Sequence, residues 1–152
     1  MNYTKQVTQN GFALEYVPQK LKTYELCLAA IQQNGLAIQH VPKKHKTAEL
    51  CLTAVQQTGY SLKYIPDHHK TIELCTMAIR ENGYAIKYVP EQLATYELCE
   101  TAIQKDSSVL GFIPNHYKTF EICITALQNN DWAFDYIPEK YIIANSMFDV
   151  RN

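Results

Sequence analysis

The chain has 152 residues, of which 47% are hydrophobic and 19% are charged, a balance typical of one globular domain. Its net charge of −1 excludes a strong general attraction to phosphate backbones, which needs an excess of Lys and Arg. No apolar run approaches the roughly 18 residues that cross a bilayer, and no apolar signal segment follows Met1. We therefore expect no membrane contact and a cytoplasmic location.

One 24-residue interval organises the chain. It separates all the prolines: Pro18, Pro42, Pro66, Pro90, Pro114 and Pro138. It also separates the cysteines: Cys27, Cys51, Cys75, Cys99 and Cys123, with Met147 at the sixth place. Two residue types in one phase indicate an internal repeat. We divide the chain into a partial N-terminal repeat or cap (1–10), five full repeats and the start of a sixth (11–141), and a C-terminal cap (142–152).

The first half of each unit predicts a short helix followed by a proline turn. In unit 1 the apolar residues of segment 12–17 fit about one and a half turns of helix. Pro18 disfavours helical geometry at the residue before it, and segment 18–22 is predicted to form one further tight turn. The tyrosines near the end of the first segment are predicted to lie on its packed side: Tyr16, Tyr64, Tyr88 and Tyr136.

The second half predicts an α-helix of about three turns, from Thr23 to Asn34 in unit 1. Thr23 is a typical N-cap, and Glu25 in the first turn opposes the positive end of the helix dipole. The pair Asn34–Gly35 is expected to supply the left-handed residue that ends a helix. The apolar positions form one stripe: Leu26, Cys27, Ala30 and Ile31.

The apolar stripes of both halves determine the expected fold. A single unit cannot bury both stripes, but stacked units can. The sequence therefore predicts an all-α fold, a right-handed α-solenoid of stacked short helix–turn–helix repeats.

The repeat signature, N-G-x-A-[LI]-x-Y-[VI]-P-x-x-L-K-T-x-E-[LI]-C-x-x-A-[VI], resembles a helical repeat family. The matching residues of unit 1 are Asn10, Gly11, Ala13, Leu14, Tyr16, Val17, Pro18, Leu21, Thr23, Glu25, Leu26, Ala30 and Ile31. The signature is similar to domain-of-unknown-function family 4116, found in bacteria, protists and viruses, from Asn10 to about Tyr141. Ser107 and Asp131 depart from the glycine, so we expect those two junctions to be shaped differently. The resemblance implies an all-helical array and no particular activity.

No side-chain pattern predicts catalysis, a cofactor or a metal site, so we expect a protein that is not an enzyme. Equivalent cysteines on stacked helices stand too far apart for a disulfide, and they lack the close spacing of metal ligands. They are predicted to be buried and reduced, which suits a reducing compartment. A row of lysines is predicted to be solvated or paired with the glutamates: Lys22, Lys46, Lys70 and Lys118.

Function must be sought in what varies between units. We predict a protein–protein interaction scaffold for an unidentified protein or peptide, and a monomer or weak homo-oligomer. The candidate partner-binding residues are Leu28, Gln32, Leu52, Gln56, Arg80, Gln104 and Gln128. The less favoured alternative is RNA or single-stranded DNA binding, because a polar row that changes once per unit resembles base-reading repeats, with the tyrosines as candidate stacking platforms.

Overall fold

The computed structural model describes residues 2–142 and folds them into a stack of short helices. The α-helices are α1 Tyr3–Gln9, α2 Tyr24–Gln33, α3 Ala48–Gln57, α4 Ile72–Glu81, α5 Tyr96–Lys105 and α6 Phe120–Asn129. Between them lie six-residue 3₁₀ helices: Gly11–Tyr16, Gly35–His40, Gly59–Tyr64, Gly83–Tyr88, Ser107–Phe112 and Asp131–Tyr136. Residues 139–142 are helical. The predicted C-terminal cap, apart from residue 142, lies outside the described residues.

The helices form two layers. Helices α2 to α6 pack side by side in an α layer, and the six-residue 3₁₀ helices pack side by side in a 3₁₀ layer. Each of these α-helices also contacts the 3₁₀ helix before it and the one after it. The predicted all-α repeat fold is therefore confirmed, and no strand occurs among residues 2–142. We number the units from their first residues: Gly11, Gly35, Gly59, Gly83, Ser107 and Asp131.

The predicted start and core of the long helix are confirmed. The Thr23 hydroxyl accepts a hydrogen bond from the Leu26 amide at 3.3 Å, and the equivalent threonines cap α3 to α6 in the same way. Such a cap contributes about 1 kcal/mol to stability. The four stripe residues of α2 are buried between the two layers, where the core of every unit lies: Leu26, Cys27, Ala30 and Ile31.

The short half of each unit is a 3₁₀ helix of two turns rather than one and a half turns of α-helix. Asn10 is extended, with φ −147°, and its side chain accepts from the Phe12 amide at 3.0 Å. The chain becomes extended again at Val17, before Pro18. A 3₁₀ helix has three residues per turn, so side chains at positions i and i+3 lie one above the other. The predicted tight turn after Pro18 is a short 3₁₀ helix, Gln19–Leu21.

The predicted left-handed helix ends are wrong. No residue with positive φ occurs in the described part of the chain. Glycine serves close packing instead: a Cβ built on Gly83 would lie 2.8 Å from the carbonyl oxygen of Ala102 on the next α-helix. The junctions before Ser107 and Asp131 were expected to differ, but Asp106 (φ −152°) and Asn130 (φ −158°) are extended like Asn34 (φ −153°). The expected difference in the shape of these two junctions is therefore wrong.

The prediction for the lysine row is also wrong. Lys22 is 8% exposed, and its ammonium group donates to the His40 carbonyl of the next unit at 3.1 Å. Three further bonds follow the same pattern: Lys46 to Tyr64 at 2.7 Å, Lys70 to Tyr88 at 2.8 Å and Lys118 to Tyr136 at 3.2 Å. The last carbonyls of a helix lack partners within it, and a cation is favourable there. Each lysine therefore caps the 3₁₀ helix of the following unit. Lys70 also pairs with Asp67 at 2.8 Å.

Candidate interaction surfaces

The seven predicted partner-binding residues all lie on helices α2 to α6, on the side turned away from the 3₁₀ layer. The polar members are exposed: Gln32, Gln56, Arg80, Gln104 and Gln128. Leu52 is 39% exposed, whereas Leu28 is partly buried against the core. Leu28 and Gln32 are four residues apart and share one side of α2. We call this side of the stack the α face.

Several apolar side chains of the α face were missed by the sequence analysis. Ile72 and Phe120 are each 48% exposed, and Met77 is 36% exposed. Ile72 and Phe120 occupy the first position of their helices, one turn before the Leu28 position. The buried stripe begins two residues later, so this first position was not considered. The signal was present, because the same position is Tyr24 and Tyr96 in other units.

An open groove of about 560 Å³ runs along α4. Its lining residues are Ile72, Glu73, Thr76, Met77, Arg80 and Glu81. Two exposed apolar side chains, Ile72 and Met77, lie within reach of one cation and two carboxylates. The groove thus combines apolar area with charge, which is the composition of a surface that binds another chain.

The α face is acidic. Helices α2 to α6 carry seven carboxylates, of which Glu81 accepts a hydrogen bond from the Gly59 amide of the 3₁₀ layer: Glu25, Glu49, Glu73, Glu81, Glu97, Glu100 and Glu121. They carry two cations, Arg80 and Lys105. Hydrogen bonds from its own backbone amide and from Thr23 hold the pKa of Glu25 below its ordinary value, and the same arrangement with Thr71 lowers that of Glu73. These groups are therefore ionised at neutral pH, and the face opposes the approach of phosphates.

In its central units, the 3₁₀ layer presents a surface of aromatic rings and lysines, whose charge is opposite to that of the acidic α face. Tyr60 and Lys63 of unit 3 are three residues apart, as are Tyr84 and Lys87 of unit 4. Each pair therefore lies on one side of its 3₁₀ helix. Both lysines are exposed. Lys63 Nζ lies 5.6 Å from the centre of the Tyr60 ring, and Lys87 Nζ lies 5.4 Å from that of Tyr84. Residues three apart also share one side of an α-helix, so the sequence contained the signal for these pairs, but the pairs were not singled out.

The prediction of packed tyrosines is correct for two of them and wrong for the other two. Tyr64 and Tyr88 are partly buried against the core. Tyr16 is 80% exposed. Tyr136 is 51% exposed. The preceding unit carries Ser108 at the position of Tyr60, and Tyr136 lies against Gly111 instead.

The two features that the nucleic-acid hypothesis combined lie in different layers. The glutamine row belongs to the α layer, and the tyrosines at Tyr16, Tyr64, Tyr88 and Tyr136 belong to the 3₁₀ layer. The structure therefore does not bring them together in one reading surface. Aromatic rings and lysines do meet, but in the 3₁₀ layer.

The cysteines are buried and unpaired by disulfides, as predicted. Burial raises the pKa of the Cys27, Cys51, Cys75 and Cys99 thiols to about 11, so they are protonated at neutral pH. Within residues 2–142, no group of three or more His, Cys, Asp or Glu side chains is placed to hold a metal ion. None of the described helices is both long enough and apolar enough to cross a membrane.

A comparison with known protein families shows which family the chain belongs to. The sequence profile described as "Domain of unknown function (DUF4116)" matches residues 7–46, 48–94 and 95–142. The chain belongs to this family. Each DUF4116 match covers close to two of the 24-residue units, so one family domain corresponds to a pair of stacked repeats. No curated protein and no solved structure matches the chain.

Proposed function

We propose that the protein is a binding scaffold whose α face holds an apolar, basic segment of another protein. The observation that carries the proposal is the recurrence of exposed apolar side chains on an acidic background. Leu52, Ile72, Met77 and Phe120 are each at least 36% exposed and come from three units of the stack. Solenoids present extended surfaces of this kind to elongated partners.

Charge specifies the chemistry of the partner. Seven carboxylates against two cations on helices α2 to α6 favour a partner that carries Lys or Arg. The apolar residues favour a partner that also carries Leu, Ile or an aromatic residue, because fully burying one such side chain contributes about 1.5–3 kcal/mol. An amphipathic basic helix satisfies both requirements.

The other elements of the proposal follow from the same features. Binding needs no chemistry at this face, so we propose that the protein works without catalysis. Nucleic acid is disfavoured here, because carboxylates repel phosphates. Buried, protonated thiols support a reducing compartment, so we propose that the protein works in the cytoplasm.

The experiment compares two synthetic peptides and two variants. A basic amphipathic Leu/Lys peptide and its Leu/Glu counterpart are titrated against the protein by isothermal calorimetry. We expect the basic peptide to bind and the acidic one to fail. The variant Leu52→Lys, Ile72→Lys should weaken binding of the basic peptide by tenfold or more, because it removes two exposed apolar contacts and adds cations that repel the peptide. The matched control, Gln92→Lys, adds a cation at an exposed residue outside the α-helices and should bind like the wild type.

Circular dichroism establishes that the variants keep their helicity. Unchanged affinity in the folded double variant would show that this face is not the binding surface. Equal affinity for both peptides would show that the carboxylates of the α face do not select a basic partner. A partner captured from a native lysate can then be tested against the same pair of variants.

A further inference from the structure

The surface of units 3 to 5 in the 3₁₀ layer carries an ordered row of aromatic rings. The Tyr60 and Tyr84 rings come from neighbouring units, are inclined by only 24° and have centroids 6.3 Å apart. Tyr88 meets the Tyr60 ring at 90° and 5.7 Å, and its hydroxyl donates to the Tyr60 oxygen at 3.3 Å. Phe112 extends the row, 5.1 Å from Tyr84 at 82°. We call Tyr60, Tyr84 and Phe112 the aromatic row.

The rings of the aromatic row are held in place before any ligand arrives. Tyr84 and Tyr88 pack against the buried core, and Tyr88 supports both Tyr60 and Tyr84 from their edges. Phe112 is 38% exposed, and Tyr60 and Tyr84 are partly exposed. Ordering flexible side chains at an interface costs roughly 0.5–1.5 kcal/mol each, and these contacts have already met part of that cost.

Exposed cations accompany the rings. Lys63 and Lys87 lie beside the aromatic row, and Lys87 Nζ is also 4.7 Å from the Phe112 ring centre. Neither lysine forms an ion pair with a carboxylate among the described residues. An ammonium group has three donors, so each lysine can still contact an anion while it lies near a ring. Each of the two cations lies close to two rings, Lys63 to Tyr60 and Tyr64, and Lys87 to Tyr84 and Phe112.

A second group of lysines lies next to unit 3. Lys46 donates to the Tyr64 carbonyl, at the end of the same 3₁₀ helix that carries Tyr60 and Lys63. The short turn Lys43–His45 ends beside that bond, and its Lys43 and Lys44 are exposed. At the position of Lys63, the first and last units carry Glu15 and Asp135 instead. Positive charge is thus concentrated in the central units.

We propose that this surface binds single-stranded nucleic acid. Unpaired bases stack on exposed aromatic rings, and nearby lysines contact the phosphates between them. A single strand uses both parts of the surface, whereas an acidic peptide would use the lysines and leave the ring faces without a planar partner. A duplex hides its base faces. The acidic α face directs the strand to the 3₁₀ layer, so this site is separate from the proposed peptide-binding face and does not rest on it.

The test measures fluorescence anisotropy of labelled RNA and DNA oligomers of about ten nucleotides, a length within the range that single-strand sites cover. We expect binding at low salt that weakens as salt rises. The variant Lys63→Ala, Lys87→Ala should weaken binding by about tenfold or more and lower the salt slope by about 1.4, since each phosphate contact contributes about 0.7 on single strands. Comparison of the RNA and DNA arms decides whether the 2′-hydroxyl is recognised.

A second variant separates stacking from charge. Tyr84→Leu should weaken binding by about fivefold or more, the lower end of the loss for one stacked base, and leave the salt slope unchanged. The matched control, Lys105→Ala, removes an exposed cation from α5 and should change the affinity less than twofold. Circular dichroism of each variant shows that the fold is retained, and the lysine variant tests the site even if Tyr84→Leu fails to fold.

Three results would overturn the proposal. The first is no binding of either oligomer at low salt. The second is equal affinity for polyglutamate or for an abasic oligomer, which would leave charge as the only determinant. The third is an equal loss of affinity in Lys105→Ala, which would place the strand elsewhere. None of these results bears on peptide binding at the α face, so the two proposals fail independently.

Discussion

The substitution Lys46→Met tests whether the lysine row is structural. Met keeps most of the aliphatic length of the side chain but removes the ammonium group. In the folded protein, that group lies 2.7 Å from the Tyr64 carbonyl, where it caps the 3₁₀ helix of the next unit. Burial lowers the pKa of Lys46, which is consistent with a group taken partly out of water. The variant therefore removes one charged donor and leaves one carbonyl without it.

The expected loss follows from the two opposing contributions. A hydrogen bond to a charged group contributes about 1.5–3 kcal/mol in proteins. The ammonium group is partly exposed, and its removal also removes the cost of its desolvation, so we expect a net loss of roughly 1–2 kcal/mol. For a chain of this size each kcal/mol lowers Tm by about 2–4 °C, so Tm should fall by roughly 2–8 °C.

Urea denaturation and thermal melting, both followed by circular dichroism, measure the loss. The control is Lys44→Met, an exposed lysine two residues away, for which we expect a change within about 0.5 kcal/mol. If Lys46→Met were as stable as this control, the bond would contribute nothing, and the original interpretation of solvated or glutamate-paired lysines would be correct.

Three further predictions follow from the core and the junctions. First, the free energy of unfolding should fall as pH rises from about 9 to 11, because the buried thiols have a pKa of about 11 and so bind more protons in the folded than in the unfolded chain over this range. Each thiol should lower the free energy of unfolding by up to roughly 1.4 kcal/mol per pH unit. A urea midpoint that does not change with pH would contradict this prediction. Second, a thiol reagent should modify the native protein slowly and the denatured protein fast, whereas rapid native modification of several thiols would contradict their burial. Third, Gly83→Ala should lower the free energy of unfolding in urea by about 1–3 kcal/mol, because its Cβ would crowd Ala102. Ser107→Gly should lower it by less, since that junction already holds a Cβ. Equal losses would contradict the role of Gly83 in close packing.

Local rules predicted the parts of the fold that depend on neighbouring residues in the chain. A threonine two residues before a glutamate defines the start of each long helix, and the apolar stripe defines its buried side, so both predictions were confirmed. The 3₁₀ form of the short half was missed because six residues are too few to separate a period of three from one of 3.6.

Features that depend on the next unit could not be read from local spacing. The acceptor of Lys22 is the carbonyl of His40, 18 residues further on, and a backbone carbonyl leaves no mark in the sequence. The recurring glycines correctly indicated a constrained position. Crowding by a neighbouring helix and left-handed backbone geometry both favour glycine, so the sequence could not distinguish these two causes.

The lysine bonds give the array a direction of growth. Each lysine precedes its acceptor in the chain by 18 residues, so during synthesis the donor leaves the ribosome before the helix that it caps. Every new unit can therefore dock on a finished template. Unit 4 is the exception, because Ala94 replaces the lysine and the bond runs the other way: the Tyr117 hydroxyl of unit 5 donates to the Ala94 carbonyl at 2.9 Å. At this joint the later unit supplies the donor, so the direction of growth that the lysine bonds define is interrupted between units 4 and 5.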